Sequence, residues 1–344
     1  MTKQAILREV SDVTTRYLLI TSLLLIYCSA QAAQNIAYSK VFLNGARVHV
    51  VAVNLNSPDL KVTVSLTKNG SGSSESFSSM LNRLQPAAAI TGTFFCTRNL
   101  KPTGDIVVEG MKIHKGVVGT GVCFTSDNTV HYMPIRSGHR TDWEGYETVL
   151  CAGPTLVRNG SIFLCPKDEG FTDPGLFGKE KRTAIGTTAN NKLMLVVVDT
   201  PIQLRTLAKI MLSLGAVDAV DLDGGSSSAL YCNRRTISHP SRKLTNLLVV
   251  YDSLTDYYHH RQALAPQLRN TVATMPKPKT SDWSQVTLAD WHRPAVDPPQ
   301  VAQFPTRELF PEVEVEMPSP TSRNVERRTS NANFKHPDHL TINH

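Results

Sequence analysis

Along residues 47–55 (RVHVVAVNL) and 60–66 (LKVTVSL) apolar and polar positions alternate with the two-residue period of a β-strand. Asn56, Ser57, Pro58 and Asp59 between them are turn formers, so a hairpin is expected there. Residues 87–95 (AAAITGTFF) are almost wholly apolar, the pattern of a buried strand, and Gly92 within it marks a place where another group approaches the backbone. Further strands are expected over 105–108, ending in a Glu109-Gly110 turn, and over 117–124, 129–134 and 193–199. Another, over 155–158, ends in an Asn159-Gly160 turn. Helices are few. Residues 77–84 suit a short one, while Leu204, Leu207, Ala208, Met211, Leu212 and Leu214 recur at helical spacing, with Gly215 where a helix end favours a left-handed residue. The next run, 216–222 (AVDAVDL), is a strand entering Asp223-Gly224-Gly225. These elements predict an α+β (mixed α/β) fold, a strand-rich single domain with few helices, over residues 36–255.

Both ends depart from this pattern. From Pro266 onward Pro, Thr, Ser, Asn and charge replace apolar periodicity (PKPKTSDW, RPAVDPPQ, EMPSPTSRN). Such a segment buries too little to offset its ordering entropy, so 266–344 is expected to be a disordered tail. At the other end a basic start with Lys3, Arg8 and Arg16 precedes an apolar run at 17–27 and the small residues Ser29, Ala30 and Ala32. This is the layout of a secretory signal peptide over 1–32, because the run falls short of the ~20 residues that span a bilayer. The expected address is secreted or periplasmic, with no stable membrane span after cleavage; an uncleaved anchor is the alternative.

Export frames the six cysteines. Without Cys28 there remain Cys96, Cys123, Cys151, Cys165 and Cys232, an odd set that leaves two readings open: one or two disulfides, with Cys151 and Cys165 closing the most local loop, or inert buried thiols. The net charge of +7 is shared with the signal and the tail, and no basic stretch interleaves with aromatics, so nucleic acid is not an expected partner. His49, His114, His131, His139 and His239 lack ligand spacing, and neither a metal nor another cofactor is expected.

Candidate chemistry centres on residues 221–228 (DLDGGSSS). Side chains alternate along a strand, so Asp221 and Asp223 are expected to share one face, and the paired glycines open backbone conformations that let N–H groups converge on a phosphate. Arg182, in 181–186 (KRTAIG), offers a planar fork suited to phosphate oxygens. Each motif alone also fits ordinary β-architecture. The ordered series GTFF (92–95), GDIVVEG (104–110), AGPTLVRNG (152–160), RTAIG (182–186) and LGAVDAVDLDGGSSS (214–228), closed by SRKLTNLLVV (241–250), which is similar to the family's terminal strand, resembles the phosphodiester glycosidase family. That family comprises N-acetylglucosamine-1-phosphodiester α-N-acetylglucosaminidases and bacterial exopolysaccharide-associated proteins.

The resemblance implies a hydrolase that cleaves a sugar from a sugar-1-phosphodiester, with a phosphodiester-linked glycan as its partner. Asp223 would face the anomeric carbon, and Arg182 with the N–H groups around Gly224 and Gly225 would hold the phosphate. Asp221 would orient Asp223 or serve as a strand residue, and Glu109 stands as a reserve acid. Gly92, Phe95, Gly153, Pro154, Gly224, Gly225, Ser226 and Ser227 are the expected substrate contacts. The chain departs from the family at Thr91-Gly92-Thr93, where Asn-Gly-Gly is common, and at Cys151-Ala152, where Ser-Gly is common. It also has two glycines rather than three after Asp223, and these changes bear on sugar specificity. The competing readings are a phosphodiesterase attacking phosphorus and a non-catalytic polysaccharide-binding envelope protein.

Overall fold

The structure, a computed structural model, describes residues 35–135 and 142–271. The expected signal peptide, Cys28, His139 and the part of the expected tail beyond residue 271 lie outside the described residues.

In chain order the elements are β1 (Ile36–Leu43), β2 (Ala46–Asn54), β3 (Lys61–Leu66), α1 (Phe77–Leu84), β4 (Ala88–Thr91), β5 (Ile106–Val108) and β6 (Met111–His114). They continue with β7 (Thr120–Phe124), β8 (Val130–Pro134), β9 (Thr148–Ala152), β10 (Thr155–Arg158), β11 (Ser161–Ile162), β12 (Glu180–Thr188) and β13 (Lys192–Ile202). The last are α2 (Leu204–Ser213), β14 (Ala216–Leu222), β15 (Leu230–Cys232), β16 (Arg235–Ser238), β17 (Asn246–Tyr251) and α3 (Leu254–His260). Three antiparallel sheets result: β1-β2-β13-β12-β14-β10-β11, β16-β15-β4-β17-β3, and β6-β5-β9-β7-β8. The domain is strand-rich with few helices, as the periodicity predicts.

β13 explains how the layers pack. Leu193, Leu195 and Val197 belong to a core shared with Val62 and Val64 of β3, Ile90 of β4 and Leu150 of β9. The alternate residues Met194, Val196 and Val198 join a second core under Leu207 and Met211 of α2. Each fully buried Val or Leu contributes about 1.5–3 kcal/mol of transfer free energy, so the first sheet is clamped from both faces.

The expected β2–β3 hairpin does not form. β2 pairs with β1 and β13, and β3 pairs with β17, matching Val62 with Val250 and Val64 with Leu248. All six β3 residues are buried, and its place is at the edge of the second sheet, packed over the third. Residues 55–60 therefore carry the chain from one sheet to another. Seven strands escaped the sequence reading: β1, β6, β9, β11, β12, β15 and β16; of these β12 pairs with both β13 and β14 and carries Arg182. Ordered packing also runs past residue 255, since Tyr257, Leu264 and Leu268 are buried in the main core.

Candidate active site

β14 follows α2 directly, because Gly215 takes the left-handed φ of +87° that ends the helix. Its last residues are held by the neighbouring loops: Gly153 N–H donates to Asp221 O (2.9 Å), Asp221 N–H to Pro154 O (2.9 Å), and Asp223 N–H to Gly92 O (3.0 Å). The first and second sheets thus meet at the end of β14. The strand stops at Leu222, so Asp221 and Asp223 enter different surroundings.

Beyond Leu222 the chain bends. A Cβ on Gly224 would stand 2.7 Å from Lys181 O, which excludes a side chain there, and Gly225 sits at φ +56°. Residues Gly225–Ser227 form one 3-10 turn, closed by Ser227 N–H to Gly224 O (3.0 Å) and Ser228 N–H to Gly225 O (3.3 Å). The N–H groups of Gly225 and Ser226 have no partner within that turn. Asp223 is half-buried beside them. Burial pushes its carboxyl up to about 7, against the opposing pull of the Ser227 hydroxyl, the Arg242 charge and the Gly224 N–H. Ser227 Oγ is itself buried and makes no hydrogen bond among the described residues.

Phe95 and Arg242 complete this group. The Arg242 guanidinium carbon lies 4.4 Å from the centre of the Phe95 ring. Both side chains are half-buried. Phe95 is placed by the knot below it, where Asn246 accepts from Gly92 N–H through its carbonyl (3.2 Å) and from Thr93 N–H through Oδ1 (2.7 Å). Asn246 Nδ2 donates back to Thr93 O (3.1 Å). A Cβ on Gly92 would lie 1.9 Å from Asn246 Oδ1, so the knot requires glycine there. Arg242 is brought in by Ser241 N–H, which donates to Ser226 O (2.9 Å).

Arg182 does not take the place expected of it. It is 3% exposed, and it donates from Nε to Ile202 O (3.2 Å) and from Nη2 to Leu176 O and Gly178 O (both 2.7 Å). Its Nη1 faces Asp221 Oδ2 at 3.7 Å. A guanidinium so enclosed braces the floor of the site and cannot grip a ligand arriving from solvent. Asp221 is fully buried, and neither carboxyl oxygen has a hydrogen-bond partner. Burial raises its pKa well above the ordinary range, Arg182 opposes that, and Asp223 adds to it.

Glu109 is committed elsewhere. It turns the β5–β6 hairpin at φ +53°, accepts from Tyr257 Oη (2.7 Å) and Arg261 Nε (2.6 Å), and pairs with Arg261 Nη2. Burial would raise its pKa, but Arg261 and Tyr257 together hold it below its ordinary value. It shares no described partner with Asp223.

The remaining expected contacts divide. Phe95, Gly224, Gly225 and Ser226 are half-buried or exposed around Asp223, whereas Gly92, Gly153 and Pro154 are buried behind it. Gly153, in a cis peptide with Pro154, lies against Phe171: a Cβ there would be 3.2 Å from that ring, which meets Phe94 edge-on at 6.2 Å. The sequence reading missed Arg242 and Glu169. Glu169 accepts from Thr155 N–H (2.9 Å) and Oγ1 (3.0 Å), and burial raises its pKa against those bonds. The resemblance of residues 241–250 to a family strand was the available signal for Arg242; nothing in the periodicity pointed to Glu169. Two cavities, of about 380 and 660 Å³, lie beside Trp143 and beside Glu75, and neither includes Asp223. Among the described residues no cluster of three His, Cys, Asp or Glu side chains could hold a metal.

Residues 85–251 match the model of the phosphodiester glycosidase family. The N-acetylglucosamine-1-phosphodiester α-N-acetylglucosaminidase of Bos taurus is 27% identical over 170 residues, covering 44% of this chain and 32% of that protein. The chain therefore spans about a third of the length of this curated relative. Among solved structures, a hypothetical protein from Synechocystis superposes with a TM-score of 0.56 at 16% identity, over 62% of this chain and 61% of that one. The zebrafish N-acetylglucosamine-1-phosphodiester α-N-acetylglucosaminidase catalytic domain, described as auto-inhibited by its pro-peptide, gives 0.53 at 20% identity, over 63% of this chain and 82% of that one. These two likenesses show the fold.

Proposed function

Taking residues 85–251 as a phosphodiester glycosidase domain, we propose that the chain is a hydrolase that cleaves the sugar from a sugar-1-phosphodiester in an exported glycan. The observation that carries this reading is the half-buried Asp223, with a pKa near 7, on a bend whose Gly225 and Ser226 N–H groups have no partner within the turn and which feels the charge of Arg242, itself set over the Phe95 ring.

A phosphate ester is a weakly basic leaving group, so its departure needs little protonation and much charge stabilisation. Ionised Asp223 opposes positive charge at the anomeric carbon and takes the proton of an attacking water. The water oxygen bonds to the anomeric carbon, the bond from that carbon to the phosphate oxygen breaks, and its electron pair leaves on the phosphate as a monoester. N–H donors at the bend receive a phosphate oxygen. The nearby Ser227 hydroxyl favours the ionised carboxyl, and Phe95 supplies an apolar face for the sugar ring.

The test is hydrolysis of a panel of sugar-1-phosphodiesters, N-acetylglucosamine among them, in ¹⁸O-labelled water. Label in the released sugar supports the reading; label in the phosphate would replace it with phosphodiesterase attack at phosphorus. Binding of the panel without any product would favour a non-catalytic glycan-binding protein, for which the departures at Thr91 and Cys151 speak.

A further inference from the structure

We propose that Arg242, held over the Phe95 ring at the rim of the Asp223 bend, is the cation that receives the substrate's phosphate and so selects sugars with an anionic aglycone over a neutral one. The inference rests on the hydrolase reading above and assigns the phosphate to a residue other than the enclosed Arg182.

Three features of Arg242 carry it. Its loop is pinned on both sides, by Ser241 N–H to Ser226 O (2.9 Å) before it and by the reciprocal bonds of Leu244 and Glu75 after it (both 2.9 Å). The guanidinium is thereby presented at a fixed place with little entropy left to lose on binding. Next, the guanidinium carbon lies over the Phe95 ring, 4.4 Å from its centre, and a ring supports the cation without using any of its N–H donors. Finally, among the described residues Arg242 makes no hydrogen bond or ion pair, although it is half-buried. A partly desolvated guanidinium with an unused edge is a receptor for an oxyanion, and a phosphate matches its fork in two parallel bonds.

The charges then order the reaction. A phosphodiester bears one negative charge and would be repelled by ionised Asp223; Arg242 offsets that repulsion. As the bond to the anomeric carbon breaks, the departing phosphate gains a second charge, so the arginine binds the transition state more tightly than the ground state.

The experiment compares wild type, Arg242→Ala and Arg242→Lys on two substrates: the sugar-1-phosphodiester of the panel turned over fastest, and the 4-nitrophenyl glycoside of the same sugar. We expect Arg242→Ala to lose about 10²–10³-fold in kcat/KM on the phosphodiester, the size seen when one donor to a developing oxyanion is removed. Loss on the neutral glycoside should stay under about 5-fold, and Arg242→Lys should recover part of the phosphodiester activity, keeping charge but not the fork. Equal losses on both substrates would overturn the proposal. Titration with inorganic phosphate and methyl phosphate keeps the question open to measurement if wild type hydrolyses neither substrate. In that case the hydrolase reading fails, while phosphate binding lost in Arg242→Ala still supports the anion site. Phosphate binding unchanged in Arg242→Ala, or absent from wild type, overturns it.

Discussion

At Asp223, burial and three stabilising neighbours compete, and burial wins by enough to place the carboxyl near neutrality. If the ionised form is the working one, kcat/KM should rise with pH and level off above about 7, since that ratio reports the free enzyme. Asp223→Asn should cost ~10²–10⁴-fold and erase that limb of the profile. Stability runs the other way. The folded pKa lies above the unfolded value of about 3.9, so between the two the folded state holds the extra proton, and stability falls as pH climbs from about 4 to about 7. Relative to wild type, Asp223→Asn should therefore gain in thermal midpoint between pH 5 and pH 8, and a constant difference across that range would contradict the assigned shift. Arg182 poses the opposite test. Truncating it to Ala strands buried Asp221 and three carbonyls, at a cost of about 3–5 kcal/mol, to be read as a lowered denaturant midpoint.

Between elements, the same contrast separates the site from its supports. Gly92→Ala drives a methyl into Asn246 Oδ1 and should cost about 1–3 kcal/mol by overpacking, measured by chemical denaturation, while displacing Phe95. Glu109 joins the β5–β6 turn to the segment after β17 through Arg261 and Tyr257. Glu109→Gln should lower thermal stability and leave kcat within a few-fold of wild type; a loss of kcat with unchanged stability would restore Glu109 as a reacting acid. Strand ends were legible at the tight turns, whereas the strand expected over 87–95 stops at Thr91 and the one expected over 193–199 runs to Ile202. The turns at Glu109-Gly110 and Asn159-Gly160 both adopt two successive positive φ values, the conformation their composition favours. Partners were another matter, as β2 and β3 demonstrate.

Across the molecule, the five described cysteines are free thiols, so the Cys151–Cys165 bridge is not part of this structure. Burial raises the pKa of Cys123, Cys151 and Cys232, whereas the N–H groups of Arg98 and Asn99 lower that of Cys96, next to Phe95. A disulfide reagent applied to native protein should label Cys96 well before those three, which should respond only on unfolding; peptide mapping of the first adduct decides it. What the sequence determined by itself was local: the helices at 77–84 and 204–213, the strand periods, the glycines that permit the bend at 224–225, and the family likeness. Tertiary structure decided which strands pair and which arginine meets the bend. Arg182 looks like a ligand grip in a linear motif, yet its strand lies between two others, and three carbonyls with Asp221 consume its donors. Arg242 reaches the bend only because Ser241 bonds to Ser226. Backbone preference acts over a few residues and is written in order along the chain, whereas burial and charge proximity are sums over neighbours far apart in sequence, which exist only once the sheets have assembled.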